Sequence, residues 1–258
     1  MAVHHLASLS WPAFRALRSS RLVAVLPLGA IEAHGPHLPL GTDILIAEAM
    51  AQAGAERLSA RGFDVVVLPV LPVAPAPFAA AFAGTIDTAP AATATLIEGI
   101  ARSLGSHGVV ALAIANSHHD PAHVRAIREA VAQLEKEGSV PVIFPDLTRR
   151  RWAMHLTEEF QSGACHAGEY ETSLVMALAA DMVDMVTART LTPNPSSLVV
   201  AIQRGDQTFA EAGGPEAYFG APASASVDEG RDIIDRLGAI IEEAVVAAIR
   251  PPADHQSA

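Results

Sequence analysis

At 258 residues the chain can bury one large core or two small ones. Half of it is hydrophobic, 5% is aromatic, and a formal net charge of −11 argues against nucleic acid or an anionic membrane surface as the main partner. Its single cysteine, Cys165, excludes an intrachain disulfide and a thiolate zinc site.

The first residues, MAVHHLASLSWPAF, lack a basic stretch followed by an apolar core, so no signal peptide is expected. No apolar run reaches about 18 residues without a charge, glycine or proline, so no membrane span is expected either, and the expected location is cytoplasmic. RLVAVLPL (21–28) is the first near-continuous apolar run of strand length. A turn-rich segment follows, and then a helical pattern begins after Thr42, a plausible N-cap, and ends at Gly62. FDVVVLPV (63–70) is a second strand, and the proline- and alanine-rich stretch 68–90 a long loop suited to substrate binding.

Residues 89–108 and 121–138 read as helices ending at glycine, on either side of the strand GVVALAIAN (108–116). SVPVIFP (139–145) is a fourth strand, and an apolar helix begins near Glu171. Residues 188–230 read as loops around a short strand, LVVAI (198–202), before a last helix and a frayed tail, 251–258. Continuous rather than alternating hydrophobicity marks strands buried on both faces. The βαβα order therefore predicts an α/β fold, a three-layer α/β/α sandwich with a mostly parallel central sheet, as a single domain over 1–250.

Three polar clusters interrupt this pattern. In PLGAIEAHGPHLPLGTD (27–43), Glu32 and His34 follow the first strand two residues apart, a spacing that puts both side chains on one side of extended backbone. Asp43 falls in the first turn of the next helix, after proline-stiffened residues able to fold back. In IANSHHDPAH (114–123), His118 and Asp120 repeat the spacing of two beyond another buried strand. Read singly, Asp43 favours a helix N-terminus and Asp120, before Pro121, is an ordinary N-cap. In CHAGEYETSLVMAL (165–178), His166 precedes a glycine turn and Glu171 starts a helix. A histidine beside a carboxylate near a metal is a proton carrier with a tunable pKa.

In open α/β sheets, ligands bind beyond the carboxyl ends of the strands, where the first two clusters fall. Mixed nitrogen and oxygen donors without thiolate suit Zn²⁺ or Mn²⁺, with Fe²⁺ a third candidate. A pair of such ions, bridged by one carboxylate, would acidify a bridging water and polarise a carbonyl oxygen.

The segment LGAIEAHGPHLPLGTD resembles the signature of the creatininase family, and FAGTIDTAP, NSHHDPAHV and HAGEYETSLVMAL resemble its later motifs in the same order, over roughly residues 20 to 185. The resemblance implies a metal-dependent amidohydrolase with two divalent ions per chain, assembled as a hexamer, a trimer of dimers. Carried over residue by residue, Glu32 and His118 would hold one metal and His34 the other, with Asp43 bridging and Asp120 completing the second. His166 would be the proton carrier and Glu171 its acidic companion. His119 and Trp152 would contact the substrate, Trp152 standing for an aromatic that covers it or being a plain buried aromatic. Creatininase has H-Y-E where this chain has His118-His119-Asp120, so a small substrate other than creatinine is expected, a cyclic amide or formamide whose C–N bond a metal-bridging hydroxide attacks. The alternative is rearrangement or iron-dependent redox chemistry at the same site, and a further rival is a non-enzymatic binding protein.

Overall fold

The computed structural model describes residues 2–17 and 21–249; the expected tail, 251–258, lies outside the described residues. Five strands form one sheet: β1 (Val3–His5), β2 (Leu22–Leu28), β3 (Asp64–Val67), β4 (Ala111–Asn116) and β5 (Val142–Ile143). Their order is β1-β3-β2-β4-β5, and every pairing is parallel. The helices are α1 (Trp11–Ala16), α2 (Thr42–Ala60), α3 (Pro90–Ser106), α4 (Pro121–Lys136), α5 (Arg150–Ala153), α6 (Glu158–Ser162), α7 (Glu169–Ala179), α8 (Met185–Ala188), α9 (Leu198–Arg204) and α10 (Val227–Ala248).

Alternation along the buried strands sorts their side chains into two cores. Val23, Val25, Val65, Val67, Ala113 and Ala115 face Ile46 and Met50 of α2, Leu174 of α7, and Leu237 and Ile241 of α10. Leu22, Leu26, Val66, Leu112 and Ile114 face Ile97 and Leu104 of α3 and Ile127 and Leu134 of α4. The three-layer α/β/α architecture follows, because a parallel sheet whose crossovers are helical buries both faces. From β2 the chain moves to β3 on one side and returns to β4 on the other, so the carboxyl ends of β2 and β4 flank a switch point in strand order, where such sheets place ligands.

The glycine stops after the three long crossover helices are real: Gly62, Gly108 and Gly138 all have positive φ, at 83°, 91° and 66°. Some expectations need correction. Gly41, not Thr42, is the N-cap of α2; the Thr42 hydroxyl instead donates to Pro39 O at 2.7 Å. The fourth strand shrinks to two residues, and LVVAI is helical, within α9. There, Ser197 caps the N-terminus and Gly205 stops the helix at φ 99°; with Val199 and Val200 half exposed, capping overrides β-branched propensity. Among the described residues, no helix is long and apolar enough to cross a membrane.

Candidate metal centre

The three polar clusters converge beyond the carboxyl ends of β2 and β4. Glu32 and His34 lie on the loop leaving β2, Asp43 in the first turn of α2, His118 on the loop leaving β4, His166 just before α7, and Glu171 in its first turn. All six are buried. Two short routes bring them together: the 29–41 loop folds back so that Glu32 N donates to Leu40 O at 3.1 Å, and Phe219 N donates to His166 O at 2.7 Å.

Each histidine commits one ring nitrogen to a backbone carbonyl. His34 Nδ1 lies 3.1 Å from Glu32 O, His118 Nε2 2.7 Å from Pro75 O, and His166 Nε2 2.9 Å from Ala33 O. Because a carbonyl only accepts, each of these nitrogens carries the proton, and the other one turns inward. His34 Nε2 stands 3.5 Å from Asp43 Oδ1, 3.5 Å from Glu171 Oε2 and 3.8 Å from Glu32 Oε1. His118 Nδ1 stands 3.2 Å from Glu32 Oε1 and 3.1 Å from Asp43 Oδ2; His166 Nδ1 is 3.8 Å from Glu32 Oε1.

Three sets of atoms that could hold a metal ion result: Glu32 with Asp43 and His118, His34 with Asp43 and Glu171, and Glu32 with His34 and His166. His34 Nε2, His118 Nδ1 and Asp43 Oδ2 have no hydrogen-bond partner although buried. Orphaned buried donors and acceptors are costly, and imidazoles oriented by a carbonyl on the far nitrogen are the usual dress of metal ligands. The residues present therefore fit divalent cations.

The carboxylates and histidines shift one another strongly. Burial pulls the His34 imidazolium down, but Asp43, Glu171 and Glu32 outweigh it and lift its pKa to about 10. His118 is likewise raised, against its burial, by Glu32 and Asp43. Burial drives Glu171 up to about 8, with His34 opposing, whereas the Asp43 carboxyl, despite burial, is held well below its usual range by His34 and His118. Burial and the neighbouring His34 push His166 down to about 4.

The other expected site residues lie outside these candidate sets. Asp120 belongs to none of the three ligand sets: Oδ1 caps α4 by accepting from Ala122 N at 2.8 Å, and Oδ2 accepts from Phe78 N at 3.3 Å. Glu171 belongs to one of these candidate sets. His119 packs edge-on to Phe160 at 5.7 Å, and burial takes its pKa down to about 4. Trp152 lies in the core with Leu156, Phe160 and Tyr170, under the Arg151 guanidinium at 4.4 Å.

The sequence did not point to Phe209, whose ring packs on His166 at 4.3 Å, tilted by 33°, with the His34 ring 4.4 Å from the same imidazole. His37, in the first motif, has its Nε2 2.9 Å from Thr172 Oγ1, which ties the ligand loop to α7. No local pattern marks Phe209, because the segment carrying it is joined to the site only by the fold.

Comparison with known proteins gives a consistent picture. A family described as creatininase, creatinine amidohydrolase, matches residues 7–245. The mycofactocin precursor peptide peptidase of Mycolicibacterium smegmatis is 30% identical over 228 residues, covering 86% of this chain and 84% of that one. The creatinine amidohydrolase of Pseudomonas putida is 28% identical over 193 residues, covering 69% and 72%. A crystal structure of creatinine amidohydrolase aligns with a TM-score of 0.75 at 25% identity, covering 96% of this chain and 98% of that one.

Proposed function

Given that the chain belongs to the creatininase family, we infer that it hydrolyses an amide C–N bond at a centre of two divalent cations. The observation that carries this reading is the set of buried histidine nitrogens turned, without hydrogen-bond partners, onto a cluster of carboxylates. Glu32, Asp43 and His118 would hold one cation, and His34, Asp43 and Glu171 the other. The donors suit Zn²⁺ or Mn²⁺, with Fe²⁺ third. When bound, such cations acidify water and polarise a carbonyl oxygen.

The chain's own groups supply the rest. His166 is kept neutral by burial, so its Nδ1 can take a proton and return it to the departing nitrogen, while the Ala33 carbonyl holds the ring in place. Phe209 closes one face of that ring to water. The substrate we favour is a small amide other than creatinine. A relative named a peptide peptidase extends the range to the C–N bond of a short peptide. Asp120 gives both oxygens to backbone N–H groups, so nothing at that residue favours redox or rearrangement chemistry over hydrolysis. A hexameric assembly in the cytoplasm is part of the same proposal, and light scattering giving the mass of one chain would contradict its hexamer.

The test is turnover of a panel of cyclic amides, formamides and short peptides by the Zn²⁺- or Mn²⁺-loaded protein. His34→Ala and Asp43→Ala should lower it by more than the roughly 10- to 100-fold typical of residues that merely support a ligand. Full metal content and full turnover in both variants would sink the reading.

A further inference from the structure

We propose that Asp120 is a positioning residue that holds His118 in the orientation a cation requires, without itself ligating the cation. The proposal rests on the two-cation centre inferred above. Its basis is a clasp between the long loop and the start of α4. The loop's Pro75 carbonyl takes the His118 Nε2 proton at 2.7 Å, which leaves Nδ1 facing Glu32 and Asp43. Three residues further along, Phe78 N donates to Asp120 Oδ2 at 3.3 Å, while Asp120 Oδ1 accepts from Ala122 N at 2.8 Å. One aspartate thus caps the helix that follows His118 and fastens the loop that orients the His118 ring.

The other side of His118 is held as well. Asn116 Nδ2 donates to His118 O at 2.6 Å, and His123 Nε2, on α4, meets Asn116 Oδ1 at 2.9 Å. The imidazole is therefore gripped at its backbone by the end of β4 and at its far nitrogen by the loop. Of these fastenings, Asp120 alone joins the loop to α4 through a side chain, and both its oxygens are occupied in doing so. Without it, Phe78 N–H loses its acceptor and the loop loses its tie to the start of α4; Ala76 N stays on Asp87 Oδ1 and Phe78 O on Phe209 N, so the Pro75 carbonyl is held less firmly against His118 Nε2 rather than released.

The experiment is a Co²⁺ titration of chelator-stripped protein, followed by visible absorption and by bound metal per chain. Asp120→Ala should still take up two cations at saturation, with one bound about 10- to 100-fold more weakly, the usual effect of losing a support of a ligand. The weakening should persist in a His34→Ala background, where the His118 set is the one left, and the absorption of that site should change. Asp120→Asn, whose amide oxygen still accepts one N–H, should recover most of the affinity and guards against a folding defect in the alanine variant.

If both Asp120 variants saturate at one cation, Asp120 is a ligand and the proposal is overturned. Unchanged affinities in Asp120→Ala also overturn it, leaving Asp120 a helix cap only. A wild-type protein that takes up no cation would instead defeat the hydrolase reading on which the proposal stands.

Discussion

His34 concentrates the electrostatic logic of the centre. Its Nδ1 proton is pinned to Glu32 O, and its Nε2 faces three carboxylates, which raise its pKa to about 10 in the absence of a cation. Glu171 is raised to about 8, and His118 also lies well above its usual value. Near pH 7 the metal-free site therefore stores protons where cations would sit, and loading must expel them. A histidine whose folded pKa is raised stabilises the fold below its unfolded pKa of about 6.5, and that contribution fades as pH climbs through the folded value. The raised Glu171 acts in the same direction, favouring the fold where it is protonated. The melting temperature of the chelated protein should fall between pH 6.5 and 10, whereas the Zn²⁺-loaded protein should hold its own over that window and release protons on loading. A flat profile for the chelated protein would contradict the assignment.

At the scale of elements, the position of Glu171 depends on how closely α10 approaches α7. A Cβ added at Gly230 of α10 would lie 2.0 Å from Ser173 O, two residues after Glu171. Exchanging glycine for alanine inside a helix gains about 1 kcal/mol of propensity, but overpacking against fixed backbone typically costs about 1–3 kcal/mol. Gly230→Ala should therefore lose about 1–2 kcal/mol in urea unfolding, the clash outweighing the propensity. A gain in stability would mean that the two helices are free to separate.

The same scale explains what could be read in advance. The apolar runs of β2, β3 and β4 and the glycine stops after α2, α3 and α4 were legible because burial on both faces and positive φ each leave a local mark. LVVAI misled because its β-branched residues meet capping by Ser197 and Gly205 instead of a strand partner. The edge strand β1 carries too short a pattern to be seen. Among the candidate residues, Glu32, His34 and His118 stood out by a spacing of two beyond the strands, and Asp43 by its place in the first turn of a helix. That Asp120 caps α4 and accepts from Phe78 N, while Glu171 lies beside His34 and Asp43, depends on how distant segments pack, and that is a tertiary fact.

For the whole molecule, two helical layers bury the sheet and leave its carboxyl end as the place where three distant motifs meet. Among the described residues, the groups that could hold a cation all fall in this one buried constellation, and the proposed hydrolysis rests on it. Equilibrium titration of the metal-free, wild-type chain with Zn²⁺, monitored together with amide hydrolysis, tests this most directly. Two cations per chain are expected, with turnover absent before loading and returning as they bind. Undiminished hydrolysis by the metal-free chain, or no uptake of cations, would contradict it.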